Sequence, residues 1–336
     1  MLSHQRFSTA LFVTVAELLT VEGTAAQNAE IPPLRLEAKI PLGKVHGRID
    51  HMAVDLVRHR LFVAELGSDS LAVVDLEAHR LDRLIGALPE PQSAGYDPAT
   101  DILYVANRGD GSVRLFRGRD LSPAGRIDLG SDADNIRIDP KAGRVFVGHS
   151  DGALAIIDAS THDKITDVRL KAHPESFQLD GGTTRVFVNV PNAGAIDVVD
   201  RMSGERLASW PTTRGSANFA MAFDPARHRV LVAFRHPAEI GVFAAADGSR
   251  VGTVATCGDV DDLFVDPKRD RVYISCGEGV VDVLAADGNS YRRTARITTI
   301  AGARTSLFVP EFDRFLLAAP AKGGAAAAIW IFRPSP

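Results

Sequence analysis

Short runs of alternating apolar and polar residues recur along this chain at a nearly constant interval, separated by turn residues. One copy reads NIRIDPKAGRVFVGHSDGALAIID from Asn135, and similar copies begin at His51, Ser93, Ser176, Ala220 and Asp262. The aspartates that end the first apolar run of each copy are 41 to 44 residues apart, at Asp55, Asp97, Asp139, Asp180, Asp224 and Asp266. This period is the length of one β-propeller blade.

Each copy predicts a four-stranded antiparallel meander, because its apolar runs are short and are bounded by turn residues. An Asp-Pro or Asp-Gly pair marks the first turn of most copies. There the aspartate accepts hydrogen bonds from backbone N–H groups ahead of it, and proline presets the next φ. A seventh, degraded copy begins at Thr305 and has Val309 in place of the aspartate. The repeats therefore predict seven blades.

The seventh copy ends after its third strand and lacks an outermost strand. The segment LRLEAKIPL, from Leu34 to Leu42, has the pattern of a fourth strand and precedes the first copy. Its pairing with the last blade would remove an open sheet edge. We therefore predict an all-β fold, a seven-bladed β-propeller of four-stranded antiparallel blades whose ring is closed by an N-terminal strand.

The segments VYISCGEGVVDVL and LYVANRGDGSVRLF resemble the YVTN family of β-propeller repeats. The resemblance extends from about residue 34 to the end of the chain. It implies a propeller fold of the kind found in secreted bacterial proteins. It does not imply one activity, because a common fold is compatible with unrelated functions.

The composition is that of an ordinary soluble globular protein, with 45% hydrophobic and 24% charged residues. The formal net charge is −4, and no long basic run is present, so we expect no nucleic-acid partner. A ring of repeats grows a distributed core, so residues 27–336 are predicted to form one propeller domain despite their number. We expect this domain to be a monomer.

Residues 1–26 are predicted to be a signal peptide. His4 and Arg6 precede an apolar stretch from Phe7 to Ala16, and small residues follow at positions 24–26, although Glu17 and Glu22 are unusual in such a segment. An apolar run of this length is too short to span a bilayer as a helix. We therefore predict a periplasmic or secreted protein with no transmembrane segment in the mature chain.

Cys257 and Cys276 are the two cysteines of the chain. Both are predicted at the same end of blade six, where a disulfide would fit an exported protein. Two buried thiols, or a metal or redox site, are the alternatives. Neither a CxxC motif nor a nearby histidine pair supports a metal or haem site.

The strongest chemical signal lies in the loops that lead into the blades, which converge on the central opening. These loop residues lie four and five positions before each first-turn aspartate, or at the equivalent positions of the seventh copy. They are Asp50 and His51, Gln92 and Ser93, Asp134 and Asn135, Glu175 and Ser176, Phe219 and Ala220, Asp261 and Asp262, and Arg304 and Thr305. The ends of the second strands add Glu65, Asn107, His149, Val190, Phe234, Cys276 and Ala319. Together they predict a pocket with a polar and an apolar side, which is typical of a small-molecule site.

This ring is rich in oxygen ligands, which suit a hard divalent cation such as Ca²⁺. We assign such a cation to Asp134, Asn135, Glu175 and Asp261. The residues assigned to the rest of a small-molecule site are Asp50, Gln92, Asn107, His149, Phe219 and Phe234. The alternative is that these polar groups simply face water, as scattered loop arginines such as Arg108, Arg214 and Arg235 usually do. His173 and His236, which lie in top loops as His149 does, are further candidates for the site.

Two functions follow from this ring. The one we favour is an exported scaffold that binds a small ligand, a metal ion or a periplasmic protein partner at the pore mouth. The alternative, by analogy with lactonase-like propellers, is a metal-dependent hydrolase or lyase. In that case His51 or Glu65 would be the base and Arg304 would stabilise an oxyanion.

Overall fold

A computed structural model describes Met1, Leu2 and residues 31–336. The predicted signal peptide, residues 1–26, lies outside the described residues apart from the first two. The chain divides into two units, Met1–Ile31 and Pro32–Pro336. The second unit contains seven antiparallel sheets of four strands each and two single 3-10 turns, at Leu66–Ser68 and Pro191–Ala193. The prediction of a seven-bladed, all-β propeller is confirmed.

The first three blades have their strands in sequence order from the innermost to the outermost. These strands are β2 (Met52–Asp55), β3 (Arg60–Glu65), β4 (Ser70–Asp75) and β5 (Arg80–Ile85); β6 (Pro91–Asp97), β7 (Ile102–Asn107), β8 (Ser112–Arg117) and β9 (Pro123–Asp128); and β10 (Ile136–Asp139), β11 (Arg144–His149), β12 (Ala153–Asp158) and β13 (Lys164–Arg169).

Blades four to six have the same order. Their strands are β14 (Phe177–Leu179), β15 (Arg185–Val190), β16 (Ala195–Asp200) and β17 (Arg206–Pro211); β18 (Ser216–Asp224), β19 (Arg229–His236), β20 (Ala238–Ala244) and β21 (Arg250–Ala255); and β22 (Val260–Asp266), β23 (Arg271–Cys276), β24 (Val280–Asp287) and β25 (Ser290–Thr298).

The seventh blade closes the ring with a strand from the other end of the chain. Its strands are β26 (Ser306–Val309), β27 (Arg314–Ala319), β28 (Ala327–Pro334) and β1 (Leu34–Gly43), and β1 pairs antiparallel with β28. The Nε atom of Arg314 lies 2.7 Å from Glu37 of β1, which adds an ion pair to the junction. The predicted N-terminal strand therefore covers the edge that the seventh repeat leaves open.

The core is a ring of apolar clusters between neighbouring blades. One cluster joins Val63 and Ala72 of blade one to Leu316 and Ile329 of blade seven. The second strand of each blade is buried along most of its length, as in RLFVAE of β3. Because these strands are covered on both faces, their sequences are continuous apolar runs rather than alternating ones.

The bottom face, defined here by the hairpins between the first and second strands, repeats one arrangement. Asp55 Oδ1 accepts hydrogen bonds from the backbone N–H groups of Val57 and Arg58, at 3.1 and 3.0 Å. The Arg58 side chain contacts both Asp55 and Asp101 of the next blade, at 3.0 and 2.9 Å. Arg227 makes the equivalent contacts between blades five and six, and Arg269 makes them between blades six and seven. We call each such arginine, with the two aspartates that it contacts, an arginine clamp. These repeated contacts link adjacent blades at this face.

Candidate functional site

The loops that lead into the blades enclose a pocket on the opposite, top face, which we call the mouth pocket. Its volume is about 230 Å³. Its lining includes eight predicted site residues, which are Asp50, His51, Gln92, Asp134, Glu175, Phe219, Asp261 and Arg304. The other lining residues are Arg48, Arg108, Asp132, His173 and Arg235.

Asp134, His173 and Glu175 form a group on one side of the mouth pocket. One potential ligand atom from each side chain lies within 4.8 Å of the other two. His173 Nδ1 donates to the backbone oxygen of Ser150 at 2.6 Å, and Nε2 lies 3.6 Å from Asp134 Oδ2. Since a carbonyl oxygen only accepts, Nδ1 carries the proton and Nε2 is directed toward the carboxylates. A backbone carbonyl that orients a histidine in this way is typical of metal-binding imidazoles.

The protonation of this group is shifted by burial and by mutual charge. Burial opposes the charged imidazole of His173, but Asp134, the backbone oxygen of Ser150 and Asp132 together outweigh this effect and raise the pKa of His173 to about 9. Burial, followed by the negative charge of Asp134, raises the pKa of Glu175 to about 8. The metal-free group therefore holds protons on both residues at neutral pH, and these are the protons that a metal ion would displace.

Two arginines and two aspartates form a second cluster on the other side of the mouth pocket. Arg235 contacts Asp259 and Asp261 at 3.2 and 2.9 Å, and Arg304 contacts the same carboxylates at 2.9 and 3.1 Å. The Arg235 guanidinium also lies 4.1 Å over the ring of Phe219. Asp261, predicted as a metal ligand, is therefore held by two guanidinium groups and is separate from the Asp134 group.

His51 is tied to carboxylates rather than placed as a free base. Its Nδ1 lies 3.5 Å from Asp262 and its Nε2 lies 3.8 Å from Asp50. Burial alone would lower the pKa of His51, but these carboxylates, Asp262 most strongly, raise it to about 10. Near neutral pH the imidazole is therefore protonated, which does not suit the predicted role of general base.

Asp50 and Gln92 belong to a hydrogen-bonded chain along the rim. Arg48 pairs with Asp50 and donates to Gln92 Oε1 at 3.0 Å. Gln92 Nε2 then donates to Asp132 at 3.2 Å. Burial raises the pKa of Asp50 to about 6, against the opposing charges of His51 and Arg48.

Five predicted site residues do not line the mouth pocket: Glu65, Asn107, Asn135, His149 and Phe234. Glu65 accepts a hydrogen bond from Ser70 at 2.6 Å, and Asn107 donates to the backbone oxygens of Val105 and Ser112. His149 contacts Asp167 at 3.0 Å, whereas Phe234 packs against Phe243. Asn135 is buried, and its amide makes no hydrogen bond within the described chain. The structure thus gives these side chains places inside or between blades.

The sequence reasoning did not assign several residues of the mouth pocket to the site. Arg108 and Arg235 directly follow Asn107 and Phe234, and a shift of one residue turns a side chain to the other face. Asp132 and His173 stand two residues before Asp134 and Glu175, in loops that precede β10 and β14, so strand alternation does not give the direction of their side chains. Extending the candidate positions two residues upstream in each loop would have included them.

Cys257 and Cys276 are joined by a disulfide in the structure, with a Cα separation of 5.9 Å. Cys257 lies in the loop before β22 and Cys276 ends β23. The bridge thus ties the loop leading into blade six to the second strand of the same blade, close to Asp259 and Asp261.

No protein-family model and no curated protein matches the chain. Similar solved structures include a chain in a crystal structure of the mitotic checkpoint complex, with 13% identity, a TM-score of 0.76 and coverage of 96% of this chain and 98% of that one. The RRP9 WD40 repeats share 9% identity, with a TM-score of 0.75 and coverage of 90% and 98%. The Kuenenia stuttgartiensis hydrazine synthase shares 16%, with a TM-score of 0.66 and coverage of 80% and 91%. At these identities the similarity shows the propeller fold alone.

Among the described residues, no helix has the length and apolar character needed to cross a bilayer.

Proposed function

We propose that this chain is an exported β-propeller scaffold that binds a divalent metal ion, and through it a small ligand, in the mouth pocket. The observation that supports this most is the group of Asp134, His173 and Glu175, whose potential ligand atoms lie within 4.8 Å of one another. The bond from His173 Nδ1 to Ser150 already orients Nε2 toward the two carboxylates.

The donor set favours a transition-metal ion such as Zn²⁺ or Mn²⁺ over Ca²⁺. Calcium prefers six to eight oxygen ligands, whereas an imidazole with two carboxylates suits zinc or manganese. Of the residues first assigned to calcium, Asp261 is engaged by arginines and Asn135 lies outside the pocket. Three protein ligands leave positions open for water or for a donor atom of a ligand.

The neighbouring guanidinium groups favour an anionic ligand. Arg48, Arg108, Arg235 and Arg304 line the same pocket, so a ligand with a carboxylate or phosphate could contact both the ion and an arginine. A pocket of about 230 Å³ suits a small molecule. A loop of a periplasmic protein partner is the other occupant that this top face would accept.

Export and family membership belong to the same proposal. The apolar stretch after Arg6 supports a signal peptide, and the Cys257–Cys276 disulfide suits an oxidising compartment. The repeated segments support membership of the YVTN family of propellers.

A melting experiment tests the metal site. We expect Zn²⁺ or Mn²⁺ to raise the melting temperature of the EDTA-treated protein more than Ca²⁺ does. At a hundredfold excess over its Kd, the bound ion should stabilise the folded protein by about 2.7 kcal/mol. His173→Gln removes the nitrogen ligand and should abolish the shift. His46→Gln makes the same change at an exposed histidine and should retain it. Equal shifts in both variants would refute the assignment.

The hydrolase or lyase alternative is favoured by one observation. The carboxyl of Asp50, with a pKa raised to about 6, lies in the same pocket and would accept a proton near neutral pH. In a lactone and ester screen with Zn²⁺ or Mn²⁺, this alternative requires turnover that is lost in both Asp50→Asn and His173→Gln. Metal binding without turnover would leave the scaffold function alone.

A further inference from the structure

The central channel contains a guanidinium group that has no carboxylate partner among the described residues. Arg137 lies on β10, the innermost strand of blade three, and lines the channel. Its Nη1 donates to the backbone oxygen of Ile136 at 2.8 Å, which is the one hydrogen bond that the described part of the chain gives it. Arg48, Arg235 and Arg304 in the mouth pocket, by contrast, are each paired with at least one aspartate. Arg137 therefore has donors available to a ligand.

The channel around Arg137 is large enough for a small organic molecule. Its volume is about 260 Å³. Small residues, Ala53 and Gly95, occupy the equivalent positions of blades one and two, and Gln178 follows in blade four. Phe264 and Leu307 provide half-buried apolar surface at the same level of blades six and seven. The channel thus combines one cation with an apolar wall.

The channel carries about one net positive charge, which suits a ligand with a single negative charge. His51 and Asp262 line its upper end, where their side chains lie 3.5 Å apart. This pair is close to neutral when His51 is protonated, so the positive charge of Arg137 remains. Burial lowers the pKa of Arg137, and the more distant Asp262 and Asp134 only partly oppose this effect. An anion seated beside the guanidinium would replace the water that burial removes.

We propose that the central channel binds a small monocarboxylate, with its carboxylate on Arg137 and its apolar body against Phe264 and Leu307. A guanidinium matches a carboxylate through two parallel N–H···O bonds. The apolar wall favours an organic acid over a strongly hydrated inorganic anion, since burial of apolar surface is favourable. The single positive charge that remains on Arg137 balances one negative charge and therefore disfavours a dianion. The site is separate from the metal site of the mouth pocket, although His51 borders both cavities.

The test uses benzoate as the probe, benzyl alcohol as its uncharged analogue, and phosphate and chloride as inorganic anions. Calorimetric titration of the full chain in EDTA, at constant ionic strength, excludes metal-mediated binding. We expect saturable benzoate binding to the wild type and to Arg292→Met, an exposed arginine on β25. Arg137→Met should weaken this binding at least tenfold, and benzyl alcohol should bind at least tenfold more weakly than benzoate.

Two further variants keep the test decisive if Arg137→Met does not fold. Arg137→Lys retains the charge but loses the planar fork and should weaken benzoate binding severalfold. Ala53→Leu fills the channel and should also reduce it. Unchanged affinity in these variants, or the absence of benzoate binding to the wild type, would overturn the proposal. Binding of phosphate in preference to benzoate would overturn the assignment to a monocarboxylate.

Discussion

The two faces of this propeller are built from the same seven repeats but have different side-chain organisation. On the bottom face, the hairpin aspartates accept hydrogen bonds from the backbone of their own turns, and three arginine clamps bind the aspartate of the next blade. On the top face, the equivalent loop positions differ from blade to blade and place carboxylates, imidazoles and guanidinium groups around one pocket.

The bottom face therefore stabilises the fold, and the top face is the one that can bind a ligand. Repeated contacts at the bottom satisfy each charge locally, so few groups there are available to a ligand. At the top, burial raises the pKa values of Asp50 and Glu175, whereas neighbouring carboxylates raise those of His51 and His173 against the effect of burial. Perturbed groups that converge on a pocket are typical of functional sites.

The largest expected effect concerns the covalent link of the top face. Replacing Cys257 and Cys276 by alanine opens a loop with a sequence separation of 19 residues. The free energy of unfolding should fall by about 3 kcal/mol, chiefly because the unfolded chain gains entropy. Urea denaturation measures this change. A wild type whose unfolding midpoint is unaffected by a reducing agent that breaks the bridge would contradict it.

The next effect concerns an arginine clamp of the bottom face. Arg269 is 8% exposed and contacts Asp266, which is 1% exposed, and Asp313 of the next blade. Arg269→Met should cost about 2 kcal/mol of stability, because it leaves the buried Asp266 without its charged hydrogen-bond partner. The neighbouring Lys268 is 69% exposed, and Lys268→Met should cost less than about 0.5 kcal/mol. Equal losses in the two variants would contradict a role for the clamp.

A smaller expected effect is a difference between the two faces in how the free energy of unfolding depends on pH. Glu175 has a pKa raised from 4.5 to about 8, so its protonated form favours the folded state. The stabilisation that the protonated Glu175 carboxyl contributes is fully present below pH 4.5 and is lost as the pH rises toward 8. Glu175→Gln cannot ionise and should be more stable than the wild type at pH 8.5 by on the order of 1 kcal/mol, since solvent at the pocket screens the effect.

This pH comparison is made in EDTA by thermal melting at pH 5 and pH 8.5. A bottom-face control is Asp313→Asn, because Arg269 lowers the pKa of Asp313 and its carboxylate favours folding over this whole range. The control should be less stable than the wild type at both pH values. An identical pH profile for Glu175→Gln and the wild type would contradict the pKa assigned to Glu175.

The repeat period and the first-turn aspartates predicted six blades, the degraded copy from Thr305 predicted the seventh, and the fourth-strand pattern of residues 34–42 predicted closure of the ring. The aspartates are a reliable signal because each of the six accepts a hydrogen bond from the backbone of its own turn. The mouth pocket was predicted only in part. Asn107 and Phe234 mark the correct loops but face into the blades, whereas Arg108 and Arg235 face the pocket. His173 was not assigned to the metal because its role depends on packing against Ser150 and Asp134, which are distant in sequence from one another.

Direct titration of Zn²⁺ into the metal-free protein tests the central claim that the top face holds an ion at Asp134, His173 and Glu175. Calorimetry at pH 6.5 and 8.5, in buffers of different ionisation enthalpy, measures stoichiometry, affinity and proton release together. We expect one ion per chain, tighter binding at pH 8.5, and proton release at pH 6.5 as His173 and Glu175 lose protons. The variant Asp134→Asn/Glu175→Gln should not bind the ion. An unchanged titration of this variant, or a wild type that binds no ion, would contradict the claim.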